Sequence, residues 1–150
     1  MQKVKKDRHL LEEIFKNVNI GMQSVNDLMP KVEDEFLKNE LARMYENYDK
    51  FSTHAAVIAD EEKFDVKEIN SFKKAMIWTS VQFNTMKDNS SNHILSMLIK
   101  GSVTGYTTLI EEIHKSNVQH GKIYDLAMEL IQIEKEDEKR LTALLTTDKQ

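Results

Sequence analysis

The chain contains no cysteine, one proline and four glycines in 150 residues. Without cysteine there is no disulfide framework, no thiol nucleophile and no thiolate–metal site, and a reducing cytoplasm is the expected setting. So little proline and glycine leaves too few turns for a fold of many short strands. Long apolar runs are also missing. The longest, Ala75 to Val81, is interrupted by Thr79 and Ser80 and falls far short of a bilayer span. The basic start, Met1 to His9, is not followed by the apolar core of a signal peptide. Lysine and arginine total 21 against 25 aspartates and glutamates, a net charge of −4. That balance argues against generic nucleic-acid binding, which needs a basic face to displace counterions. The expectation is one cytoplasmic domain over residues 1–150, frayed at 1–6 and 146–150, with no nucleic-acid or membrane partner.

What the chain does have is helical periodicity. Apolar residues make up 40% and charged residues 31%, and five stretches repeat with a period near 3.6. The first runs from about Asp7 to Leu28 along Leu11, Ile14, Phe15, Val18, Gly21, Met22, Val25 and Leu28. Pro30 ends it or opens the next helix, because proline lacks the donor an interior turn needs. Asp34 is placed to cap a second helix reaching about Asp60, with Leu37, Leu41, Met44, Tyr45, Tyr48, Phe51, Ala55 and Ile58 on one stripe. Asp65 and Glu68 have capping-box spacing and open a third helix. Ser91 is the expected cap of a fourth helix, whose seam is Ile94, Met97, Leu98, Gly101, Gly105, Leu109 and Ile113. A fifth follows with Ile123, Ala127, Leu130, Leu141 and Leu144. Short links make sequential helices antiparallel. With the third helix as a crossover, the other four form a four-helix bundle of ferritin-like connectivity. A sequential five-helix bundle is the structural alternative.

Bundles of this kind often house di-iron sites. Such a site needs a Glu from each of two helices and an inward Glu-x-x-His from each of two others. The chain has one such pair, Glu111 and His114. It aligns with Lys100, Thr104 and Thr107, opposite the glycine seam. Glu12 and Glu13 flank the first stripe, and Glu46 has no His three residues on. The fifth helix is different. Between Leu130 and Leu141 its stripe passes through Glu134 and Asp137. Burying an unpaired carboxylate is costly. One reading rotates the stripe toward Ile133 and leaves both acids in solvent, and that is the expectation adopted. The other makes them, with Tyr45, Tyr48 and Tyr106, an interior polar cluster.

Gly101 and Gly105 form a Gly-x-x-x-Gly, expected to mark a close helix crossing with Gly21 facing it. The methionines are read as core filler. His9, His93 and His120 fall near helix ends as solvated or capping groups.

Two runs carry a resemblance. One is Trp78, Thr85, Asp88, Ser91, His93-Ile94-Leu95-Ser96-Met97-Leu98-Ile99-Lys100-Gly101-Ser102 and Gly105. The other is Gly21-Met22 to Leu28-Met29-Pro30-Lys31-Val32, then Asp34. Together they resemble small bacterial helical-bundle proteins, without an assigned activity, in or near the ferritin-like superfamily. The resemblance implies the four-helix arrangement and no reaction. The superfamily's iron ligands do not carry over, since a second Glu-x-x-His is missing.

The function expected is therefore that of a non-enzymatic bundle without a cofactor, acting by self-association or protein binding. The third helix is apolar nearly all round, so Ile77, Trp78 and Val81 are the expected homodimer interface. The alternatives are a metal-binding or redox bundle, with Glu134, Asp137, Glu111 and His114 as candidate ligands, and a module binding a small ligand in a Tyr-lined interior.

Overall fold

The computed structural model describes residues 2–69 and 87–147. The periodic stretches there become four long helices, α1 (Gln2–Leu28), α2 (Glu35–Glu61), α4 (Ser91–Ser116) and α5 (Lys122–Thr147), with a short α3 (Val66–Ile69) after α2. Among the described residues there is no strand. Ile77, Trp78 and Val81, the expected interface, lie outside them.

Local chemistry sets the helix ends. Asp34 Oδ1 accepts the Leu37 N–H at 2.9 Å, the cap expected for α2. Pro30 sits in a 3-10 turn over Met29–Lys31. Asp65 Oδ1 accepts from the N–H groups of Lys67 and Glu68, and the Glu68 carboxylate takes Arg8 from α1 at 2.8 Å. The cap of α4 is Ser90, one residue before the Ser91 expected. Asp88 holds Ser90 extended by accepting its N–H at 2.9 Å, and Ser90 Oγ accepts from His93 N–H. Asn117 closes α4 in the left-handed conformation, φ 56°, which asparagine tolerates well. Gly121, at φ 112°, then turns the chain into α5.

Two ends differ from expectation. Residues 2–6 are helical, because the lysine-rich turn contains good helix formers and no breaker. At the other terminus α5 reaches Thr147, its last turns held by Leu144 and Leu145 against the core.

Residue pairs between helices give the topology. His9 meets Glu112 and Asn17 meets Gly105, so α1 and α4 are antiparallel. Lys122 meets Glu61 and Arg140 meets Glu40, so α2 and α5 are antiparallel. Arg8 reaches Glu68, just past the end of α2, so α1 and α2 are antiparallel as well. The order is up-down-down-up. α2 and α4 run parallel. Around the ring the neighbours are α1–α2, α2–α5, α5–α4 and α4–α1. α1 and α5 also touch across the middle, while α2 and α4 stand at opposite corners. The four helices have 26 or 27 residues, so each is about 40 Å long and they match end to end.

One core joins them. Leu11, Ile14, Phe15 and Val18 of α1 pack with Leu41, Phe51 and Ala55 of α2, Ile94 and Leu109 of α4, and Ile123, Leu130 and Leu141 of α5. Burying each large side chain contributes roughly 1.5–3 kcal/mol, which dominates over caps and surface pairs. Phe36, by contrast, is 74% exposed. Phe15→Ala is therefore expected to lower stability in urea by about 3–5 kcal/mol, and Phe36→Ala to stay within about 0.5 kcal/mol of the parent chain. Equal losses for the two would contradict this placement of the core.

Candidate functional site

Glu134 and Asp137 do not escape to solvent. They are 3% and 0% exposed, which corrects the expectation that the α5 stripe rotates toward Ile133. The reason lies on the other helices, which bring a partner to each acid. Glu134 Oε1 accepts from Asn17 Nδ2 of α1 at 3.0 Å, and Oε2 accepts from the Tyr48 hydroxyl of α2 at 3.1 Å. Asn17 also donates to the Gly105 carbonyl of α4 at 3.0 Å. One carboxyl thus ties all four long helices together.

Asp137 lies one turn further along α5. Its Oδ1 accepts from Arg43 Nη2 at 2.9 Å, while Oδ2 is buried without a hydrogen bond. Arg43 Nε donates to Glu40 Oε2 at 2.8 Å. Glu40 Oε1 in turn takes the Arg140 fork, with Nη2 at 2.6 Å and Nε at 2.9 Å. Charges alternate along Arg140, Glu40, Arg43 and Asp137, so the chain of ions from the surface to the interior is close to neutral. Burial pushes against the Glu40 carboxylate, but the hydrogen bonds and charges of Arg140 and Arg43 hold its pKa below the ordinary value.

The interior acids shift the other way. Burial raises Glu134 to about 8 against the opposing hydrogen bonds of Asn17 and Tyr48, and the charge of Asp137 adds to the rise. Asp137 is raised to about 6 by burial, restrained chiefly by Arg43. Burial and the two acids push the Tyr48 hydroxyl well above its ordinary value. At neutral pH Glu134 is thus mostly a neutral acid and Asp137 mostly an ion.

Glycine makes this placement possible. A Cβ on Gly105 would stand 2.5 Å from Glu134 Oε2 and 2.8 Å from Oε1, far inside contact distance. Gly105 faces a carboxyl group and not the backbone of a neighbouring helix. Gly21 faces the Tyr48 ring, 2.9 Å from a notional Cβ, and Gly101 is exposed with nothing within 4 Å. The expected close crossing at Gly101 and Gly105, with Gly21 opposite, is corrected accordingly. The α4 seam runs through Leu95, Leu98, Ser102 and Leu109 instead of through Gly101.

These small residues leave space. A cavity of about 460 Å³ lies between α1 and α4. Asn17, Gly21 and Ser24 line it from α1, and Gly101, Ser102 and Gly105 from α4. Val25, Met44, Met97, Leu98 and Leu109 supply apolar wall. Tyr48 and Glu134 close the deep end, and Glu13, Lys16 and Lys100 also line it, at positions less buried than Glu134.

Of the five residues grouped as an interior polar cluster, three come together: Tyr48, Glu134 and Asp137. Tyr106 instead donates to Glu138 at 2.9 Å, with Lys135 Nζ 5.6 Å from its ring centre. Tyr45 is half-buried at the edge of the core. Glu111 and His114 are exposed on α4 and do not join Glu134 and Asp137. Among the described residues no three His, Asp or Glu side chains converge on a common point. Asn17, Arg43 and Glu40 were not singled out by sequence reasoning. Asn17 left one faint signal, since it shares a helix face with Gly21 and Ser24 at spacings of four and three. In comparisons with protein-family models, curated proteins and solved structures, none matches the chain. Among the described residues no helix is long and apolar enough to cross a membrane.

Two outcomes follow from this geometry. Gly105→Ala is expected to displace the Glu134 carboxyl and cost about 1–3 kcal/mol in urea. Gly101→Ala is expected to gain up to about 1 kcal/mol, because alanine favours helix and meets nothing there. The reverse order would contradict the assignment. The second outcome concerns pH. Glu134 and Asp137 have raised folded-state pKa values, so the folded chain holds protons that the unfolded chain releases. Their stabilising contribution is complete below pH 4 and is lost as pH rises through about 6 and about 8. Glu134→Gln stays neutral throughout. Its stability relative to the parent chain should climb between pH 5 and pH 9, by on the order of a few kcal/mol. A difference that does not vary with pH would show that Glu134 is ionised throughout.

Proposed function

We propose that this chain is a ferritin-like four-helix bundle that works as a binding module and takes a small molecule into the cavity between α1 and α4. The up-down-down-up order, with parallel second and fourth helices, supports the ferritin-like reading. The cavity carries the functional one. About 460 Å³ of half-open space, with Ile20, Val25, Met44, Met97, Leu98 and Leu109 as apolar wall and one acid, an amide and a phenol at its buried side, matches the make-up of small-molecule sites. Both oxygens of Glu134 are engaged by Asn17 and Tyr48. That arrangement favours recognition over chemistry, and the protein is read as non-enzymatic. Self-association through Ile77, Trp78 and Val81 would be a separate property.

The test is occupancy. Octanol, neutral and slender, serves as the probe with ¹⁵N-labelled protein. Amide shifts should cluster on Asn17, Gly101, Ser102, Gly105 and Leu109. Gly101→Trp should fill the space and abolish them while leaving the helical circular dichroism unchanged. Shifts scattered over the surface, or unchanged in the folded variant, would contradict the reading.

A further inference from the structure

We infer that the ligand is a cation with an apolar body, a primary ammonium on a hydrocarbon frame, whose charged end pairs with the Glu134 carboxylate at the deep end of the cavity. The inference rests on the cavity being a binding site, and it names what that site selects.

Groups from four helices surround Glu134. From α1 comes the Asn17 amide, and from α2 the Tyr48 hydroxyl. From α4 comes the Gly105 backbone, with no side chain in the way. From α5 comes Asp137, already paired with Arg43, which is itself held by Glu40. None of these supplies a positive charge to Glu134, because the guanidinium of Arg43 is spent on Asp137 and Glu40. Each Glu134 oxygen takes one hydrogen bond, and a carboxylate oxygen can accept two. The carboxyl therefore has room for a cation, and among the described residues none pairs with it. An anionic ligand end would set a second acid against it, which is unfavourable. A neutral hydroxyl would gain a hydrogen bond but no charge pairing.

The rest of the wall receives the body of the ligand. Val25, Met44, Met97, Leu98 and Leu109 suit a hydrocarbon.

Pairing carries a proton balance. Glu134 is mostly protonated at neutral pH, with a value of about 8. Ammonium binds as the ion and Glu134 releases one proton to solvent on pairing. Affinity therefore rises close to tenfold per pH unit below that value and levels off above it, while the amine stays protonated to about pH 10.

Isothermal titration of octylamine, octanol and octanoate tests this with the intact chain. At pH 8 octylamine is expected to bind at least about tenfold more tightly than each of the others. Its affinity should rise near tenfold from pH 6 to pH 7, and heats in buffers of different ionisation enthalpy should report release of up to one proton. Glu134→Gln should bind octylamine and octanol alike and release no proton. If octanol binds as well as octylamine, or octylamine binding shows no proton release, the ligand class is wrong and the cavity reading stands. If nothing binds, and octanol shifts no cavity amide, both fail. Proton release in the parent chain needs no variant, so an unfolded Glu134→Gln leaves the test intact.

Discussion

Glu134 is held inside the bundle by contacts from three other helices: the Asn17 amide, the Tyr48 hydroxyl and the bare backbone of Gly105. A carboxyl group in such a place is costly unless every contact is made. The requirement propagates outward. Gly105 must lack a side chain. Gly21 must lack one too, so that the Tyr48 ring can lie flat enough to present its hydroxyl. Asn17 must bridge from Glu134 to the Gly105 carbonyl. The small residues needed to seat one acid also leave space between α1 and α4, so the cavity and the acid at its end have one cause.

Asp137 meets the same problem differently. It is neutralised by an ion chain that begins at the exposed Arg140 and passes through Glu40 and Arg43. A buried pair with a single partner gains little net stability, because the desolvation cost rivals the attraction. Here Arg43 is shared between two acids and Glu40 between two bases, so the cost is spread along the chain. The consequence is local. Asp137 is paired with Arg43, while Glu134 has only neutral hydrogen-bond partners among the described residues.

Much of the fold is legible in the sequence because it depends on local signals. The Asp34 cap and the apolar stripes of α1, α2 and α5 follow from spacing alone. The misplacement of the α4 cap by one residue came from Asp88, which recruits Ser90 by a contact two residues away. The site is less legible. Glu134 and Asp137 stand out as interruptions of a stripe, but whether such residues are buried depends on partners from other helices. Arg43 looks like an ordinary intrahelical partner of Glu40, and only tertiary packing aims it at Asp137. Tyr106 sits next to Gly105 in sequence yet points along the outer edge of α4, because one residue is about 100° of turn. Two glycines four residues apart read alike, and the acid that fills the space over one of them belongs to another helix.

Burial, with no cationic partner among the described residues, keeps Glu134 a neutral acid at physiological pH. The most direct measurement is a pH titration of the side-chain carboxyl carbons by ¹³C NMR on glutamate-labelled protein, with Glu134→Gln assigning the resonance. The account expects one glutamate to titrate near pH 8, well apart from the rest. A Glu134 resonance already at its ionised position at pH 6 would contradict it.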